Sequence, residues 1–316
     1  MLSRTADHLF WMARYTERAE NTARMLDVQV QTVLLPQAAE DTRLGWAGLL
    51  GISELIGDYT RQHGAIDPER VLDFMVRDPA NPSSILSCLR AARENARAVR
   101  GAITTEVWET VNQTWLEAQR LMADGLCDQD PAQIFEWVKH RSHLSRGVTS
   151  GTMLQDEAYH FLRIGTFLER ADNTARLLDV KFHALPADGR ATSGSKVPEN
   201  DFYHWSGVLS SVSGFEVYRK VYRDVITPER VAALLILRPD MPRSLAACLR
   251  EVDAHLRAVA HPQSGETLRR SGLLNAQLQF GRLDDIMATG LHAYLTHLLE
   301  RINDLGAGIS RDFLAL

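Results

Sequence analysis

Glu17, Glu20, Asn21, Arg24 and Asp27 follow one another at spacings of three and four residues, and Glu169, Asp172, Asn173, Arg176 and Asp179 repeat the pattern further along the chain. On a helix these spacings place side chains on one face. The carboxylates of Glu17 and Glu169 can accept from an amine or move a proton. Arg24 and Arg176 carry planar forks of donors that match a carboxylate. Asn21 and Asn173 donate and accept, and so orient a bound group. Glu17, Glu20, Asn21, Arg24, Glu169, Asp172, Asn173 and Arg176 are therefore the candidate substrate-binding residues. Glu17, Glu169, His8 and His160 are the candidates for acid–base work. The plainer alternative is a solvated face laced with ion pairs worth about 0.2–0.5 kcal/mol each. A solvated face needs only charge, whereas Asn21-Thr22 recurs intact as Asn173-Thr174. The pattern favours a partly buried stripe, lying between the two copies, inside each, or around a ligand.

His8 and His160 precede the stripes by nine residues, about two and a half helical turns, so each points away from its own glutamate. A buried histidine satisfied by hydrogen bonds is the expectation for both. Glu157-x-x-His160 has the spacing used by di-iron carboxylate bundles. Such a site needs two of these motifs, and Thr5 stands where the second glutamate would be. No metal and no cofactor are expected. His140 falls opposite His292 and is a candidate to complete a polar cluster. Cys88 and Cys248 occupy equivalent places and read as small core residues, while Cys127 has no counterpart. The chain holds no phosphate-binding glycine loop, no nucleophile elbow and no HExxH zinc motif.

These residues sit in a duplicated framework. Residues 1–28 and 153–180 align without gaps with 14 of 28 positions identical, around the block ERA-[ED]-NTAR-[ML]-LDV. Pro68-Glu69-Arg70-Val71 recurs as Pro228-Glu229-Arg230-Val231, and Pro82, Ser84, Cys88, Leu89 and Arg90 recur as Pro242, Ser244, Cys248, Leu249 and Arg250. The expected organisation is two helical repeats, 1–150 and 151–316, packed as one unit about an approximate two-fold axis. The stretch Arg146 to Thr152 reads as their junction. Apolar residues in the first segment recur mostly every three or four positions (Ala6, Leu9, Phe10, Ala13, Ala19, Ala23, Leu26, Val30), which marks a helix. Helix starts are expected where a capping residue precedes proline, at Asp67-Pro68, Asn81-Pro82, Asp130-Pro131 and Thr227-Pro228. No stretch alternates with period two, so the fold class is all-α, a multi-helix bundle. Ala187 to Asn200, rich in Gly, Ser and charge, reads as a mobile surface loop, with a shorter equivalent near Pro36 to Glu40.

Composition narrows the classes. The 316 residues are 45% hydrophobic and 24% charged, the balance of a globular chain. A net charge of -5 and a pI near 6.1 argue against a nucleic-acid binder. The six tryptophans lack an accompanying basic stripe and read as core. The longest plain apolar run, Val231 to Leu237, is far short of a membrane span. Three cysteines in no zinc spacing suit a reducing compartment, and a cytoplasmic protein is expected.

The phrases ERAENTARMLDV, NPSSILSCLRAARENARAVR, TTEVWETVN, DEAYHFLRIGTFLERADNTARLLDV and GLHAYL together resemble the bacterial alpha-E domain family, over nearly the whole chain. The resemblance implies an all-helical protein acting beside a circularly permuted ATP-grasp protein, with a transglutaminase-like protein as a frequent neighbour. It implies a setting in which amide bonds are made and trimmed. It carries the family glutamates to Glu17 and Glu169, with Asp172 one methylene shorter than Glu20. The leading expectation is a helical accessory or substrate-holding subunit of an ATP-grasp amide ligase. The alternatives are a stand-alone enzyme using paired carboxylates and histidine, and a structural scaffold in which the stripes join two halves.

Overall fold

Side-chain caps set several helix starts in the computed structural model, which describes residues 1–33, 39–183 and 199–314. Asp67 accepts from the Arg70 amide (3.0 Å) and Thr227 from the Arg230 amide (3.4 Å), each followed by proline at the first helical position. Ser84 and Ser244 cap the helices that carry Cys88 and Cys248 in the same way. Such caps satisfy amides that have no partner within the helix. Asn81-Pro82 departs from expectation. Asn81 accepts from the Ser83 amide (2.9 Å) in a turn, and the helix begins only after Ser84. At Asp130-Pro131 the helix does start at the proline, but the Asp130 side chain bonds Gln133 Nε2 (2.9 Å) rather than a backbone amide.

The described residues form sixteen α-helices and no strand, which agrees with the all-α expectation. In chain order they are α1 (Ser3–Val33), α2 (Ala39–Ile52), α3 (Ile56–His63), α4 (Pro68–Val76), α5 (Ile85–Ala98), α6 (Thr105–Ala123), α7 (Leu126–Gln129) and α8 (Pro131–Thr152). There follow α9 (Glu157–His183), α10 (Glu199–Ser211), α11 (Phe215–Tyr222), α12 (Pro228–Ala232), α13 (Leu245–Ala258), α14 (Gly265–Gln279), α15 (Leu283–Thr289) and α16 (Leu291–Phe313). A turn of π-helix, Ala233–Leu237, prolongs α12. The stretch Arg146 to Thr152 is not a connector. It is the last part of α8, and the chain leaves helical geometry only between Thr152 and Glu157. The loops expected at Ala187 to Asn200 and Pro36 to Glu40 lie mostly outside the described residues, and Glu199 and Ala39 already open helices.

The two signature helices, α1 and α9, pack on each other at the centre. Around them α5, α8 and α10 cover α1, and α13, α16 and α2 cover α9. Their approach is close enough to exclude a side chain. A Cβ at Gly165 would overlap the carbonyl oxygen of Phe10 and crowd Ala13 Cβ at 3.2 Å. Being enclosed on all sides, α1 is buried at every position from Ala19 to Asp27, polar as well as apolar. The apolar stripe therefore does not mark the only inward face. Cys88 and Cys248 are buried core residues, each with Sγ 3.8 Å from a proline carbonyl, Pro82 and Pro242 respectively. Trp46 and Trp205 are buried and Trp11, Trp108, Trp115 and Trp137 pack against the core. No described helix is long and apolar enough to cross a membrane.

Candidate functional site

Isolated carboxylates cannot be taken out of water without partners. The stripe carboxylates obey this rule with arginines drawn from three helices and a turn. Glu17, 1% exposed, receives Arg170 Nε on Oε1 (2.8 Å) and Arg170 Nη2 on Oε2 (2.9 Å). Arg243 Nη1 adds a bond to Oε1 (3.0 Å) and Arg146 Nη1 one to Oε2 (3.1 Å). Glu20, 0% exposed, receives Arg24 Nε (2.9 Å) and Arg243 Nη2 (2.5 Å) on Oε1, Ser142 Oγ (2.6 Å) on Oε2, and Arg146 as well. Asn21 Oδ1 accepts from Arg243 Nη1 (2.8 Å), while its Nδ2 is buried with no partner. Arg24 also donates to Ser213 Oγ (2.7 Å). Glu17, Glu20, Asn21 and Arg24 are thus brought together in one network.

The second stripe is placed differently. Glu169, also buried, receives Arg14 Nε (2.7 Å), Arg18 Nε (2.6 Å) and Arg18 Nη2 (3.1 Å). Asp172 pairs with Arg176 (2.8 Å), and Arg176 also reaches Glu54. Asn173 is half-buried. Asp27 and Asp179 end the two stripes on Lys139 (2.7 Å) and His292 (2.6 Å). His140 is exposed on α8 near its own Glu136, so it does not pair with His292 in a shared cluster.

The pairing crosses between signature helices. Arg18 follows Glu17 in sequence and bonds Glu169, while Arg170 follows Glu169 and bonds Glu17. Within each helix the adjacent glutamate and arginine diverge by about 100° and cannot meet. Sequence reasoning missed Arg18 and Arg170 because they lie off the three-and-four stripe. Their signal is the identical Glu-Arg dipeptide in both copies. Arg243 has a signal too: it replaces Ser83 inside an otherwise repeated Pro-x-Ser turn. Arg14 and Arg146 carry none, since their counterparts are not repeated.

Electrostatics follow from the pairing. Burial alone pushes the Glu17 carboxyl up, but Arg170 and Arg243 outweigh it and hold it below the ordinary range. Glu20 is likewise held well below that range, burial being outweighed by Arg243, by a hydrogen bond from His143 and by Arg146. For Glu169 the same contest, burial against Arg14 and Arg18, ends at about 2. Asp172 is the exception, raised by burial against the pull of Arg176. Burial pushes the Cys88 and Cys248 thiols up to about 12. The glutamates are thus fixed as anions and are poor proton carriers near neutral pH.

The histidines lie apart from the stripes. His8 Nδ1 is 2.8 Å from Asn95 Oδ1, and His160 Nδ1 is 2.9 Å from His255 Nδ1. Both are half-buried and hydrogen-bonded. Glu157 is exposed and pairs with the Met1 amino group, not with a metal-like cluster around His160. Among the described residues no three His, Cys, Asp or Glu side chains gather in a way that could hold a metal ion. Beside Glu17, between α1, α8 and α9, a small cleft opens to solvent.

Residues 1–314 match a family described as a predicted alpha-helical domain with a conserved ER motif. The chain is 24% identical over 325 aligned residues to the uncharacterized protein Mb2597 of Mycobacterium bovis, covering 95% of this chain and 35% of that one. It is 23% identical, with the same coverage, to the uncharacterized protein Rv2567 of Mycobacterium tuberculosis. It thus spans about a third of the length of the curated relatives it matches. No solved structure matches it. Glu17-Arg18 and Glu169-Arg170, which stand as Glu-Arg pairs at the centre of the fold, fit that description: the chain belongs to the Alpha-E family.

Proposed function

We propose that this protein is a helical accessory subunit that works with an ATP-grasp amide ligase and does not perform the bond-forming chemistry itself. The observation that carries the non-catalytic half of this reading is the saturation of Glu17, whose two oxygens accept four hydrogen bonds from three arginines. A carboxylate so occupied has no lone pair ready for a substrate amine, and its depressed pKa removes it from acid–base work. The ER motifs then act as the ionic joint between two helical halves, and the joint presents a rigid outer surface to a partner. The partner half of the reading comes from the family resemblance. It is supported by the relatives, in which the matched region is about a third of a longer chain.

The test is affinity purification from the native host, followed by an ATP-dependent ligation assay on what is recovered. Near-stoichiometric recovery of an ATP-grasp protein, with ligation that needs both chains, is the expected result. Repeated recovery of this chain alone under gentle conditions, or turnover of amide compounds by the isolated chain, overturns the reading.

A further inference from the structure

The buried network holds more positive than negative charge. Arg24, Arg146, Arg170 and Arg243 converge on only two carboxylates, Glu17 and Glu20. Four guanidiniums against two carboxylates leave two positive charges in excess. None of the four forms an ion pair with another carboxylate among the described residues, although Glu136 lies close enough to attract Arg24. Excess charge at a site removed from water is unfavourable unless an anion or solvent reaches it. The same imbalance bears on Arg243. Burial foremost, then Arg170 and Arg24, push it below the ordinary arginine value despite Glu17 and Glu20.

The cleft between α1, α8 and α9 is where this network meets solvent. Glu17 and Arg146 form part of its wall, and Arg163 of α9 lies on it as well. Arg146 bonds Glu17, Glu20 and Ser142 through Nη1 alone. Its Nε and Nη2 make no hydrogen bond within the described chain. Arg163 Nε is buried without an acceptor. Its nearest carboxylate, Glu251, stands 4.0 Å from Nη2, too far for a hydrogen bond. The Arg163 guanidinium is held 4.6 Å from the Phe167 ring centroid, which limits its freedom to turn to water.

Three hydroxyls on the wall are already engaged. Thr16, Thr149 and Thr166 donate their hydroxyl protons to carbonyls one turn back in their own helices, at 2.8–3.0 Å. The spare donors of the cleft are the Arg146 and Arg163 guanidinium groups and the Ser145 hydroxyl. Glu17 also faces it, but its charge is shared among three arginines. Met12, Ala13 and Leu162 supply an apolar side.

We propose that this cleft binds the oxyanion of a small molecule, a carboxylate or a phosphoryl group, between Arg146 and Arg163. The site stands on its own donors and on the charge excess, whether or not a ligase partner exists. An oxyanion there offers acceptors to the Arg146 and Arg163 guanidiniums and offsets part of the positive charge.

Calorimetric titration of the full chain with inorganic phosphate and, separately, with succinate tests this, at fixed ionic strength in a phosphate-free buffer. Saturable binding of at least one probe is expected, beyond a chloride control, and the probe that saturates tells a phosphoryl from a carboxylate site. Arg163→Met is expected to weaken binding by about tenfold or more, the value of a lost hydrogen bond to a charged group. Arg163→Lys keeps the charge but not the directed fork, and is expected to weaken it severalfold. If the methionine variant does not fold, the lysine variant decides. Absence of saturation by both probes, or unchanged affinity in a folded Arg163 variant, overturns the proposal.

Discussion

Arg170 Nε and Nη2 grip the two oxygens of Glu17 at 2.8 and 2.9 Å, and Arg18 Nε and Nη2 grip Glu169 at 2.6 and 3.1 Å. Each signature helix gives its glutamate to the other's arginine. A fork on a carboxylate fixes both distance and orientation. Two such forks in opposite senses lock the crossing of α1 on α9.

Because these pairs are buried, removing one partner is expected to cost far more than a surface pair would. Glu17→Gln should destabilise the fold by about 3–5 kcal/mol, since it weakens the acceptor shared by three guanidiniums. Arg170→Met should also destabilise, and the two together by less than their sum, with a coupling of about 0.5–3 kcal/mol. Denaturant titrations of the three variants measure it. Additivity within a few tenths of a kcal/mol would show that the pair does not act as a unit.

Gly165 is predicted to tolerate no side chain. Gly165→Ala places a Cβ on the Phe10 carbonyl, so the helices must part. A loss of about 1–3 kcal/mol is expected from such overpacking, despite alanine's better helix propensity. A thermal midpoint equal to or above the parent's would contradict the close approach.

Acid should loosen the protein in two stages. Burial foremost, then Arg163 and His160, depress His255 to about 4 against the pull of Glu251. The unfolded chain protonates this histidine near 6.5 and the folded chain does not, so stability falls as pH drops from about 6.5 to 4. Glu169, at about 2 when folded, is protonated near 4.5 when unfolded. Its contribution, present above about 4.5, is lost as pH falls through 2. His255→Asn copies the Asn95 that faces His8, and should flatten the upper stage while leaving the lower one. Unfolding midpoints measured from pH 7 to about 2 check this, and an unchanged upper stage would remove His255 as its cause.

Cys88 and Cys248 should be inert in the folded chain. With thiols pushed up to about 12, almost no thiolate exists at pH 8. A thiol reagent is expected to label them only after denaturant is added. Rapid labelling of either in native buffer would contradict their burial.

Much of this architecture was readable in the residues. Local rules act within a few positions, so the helices, the Ser84 and Ser244 positions, the cysteines as core and the repeated Glu-Asn-Arg pattern could be found by spacing. Three- and four-residue spacing reports which side chains share a helix face. It does not report what that face meets. For that reason Asp27 and Asp179, alike in sequence, end on Lys139 and His292, and the stripe that could have lined a ligand is filled by Arg170, Arg243 and Arg146.

The sequence by itself determined an all-helical chain with a duplicated Glu-Arg signature, because propensity, capping and identity between copies are local properties. Only the tertiary structure decided that Glu17 belongs with Arg170 rather than with Arg18. Neighbours along a helix point about 100° apart, while the packing of α1 on α9 brings residues 153 positions distant within hydrogen-bond reach. The same packing decided the chemistry of the glutamates, since burial among arginines, not residue type, holds them as fixed anions.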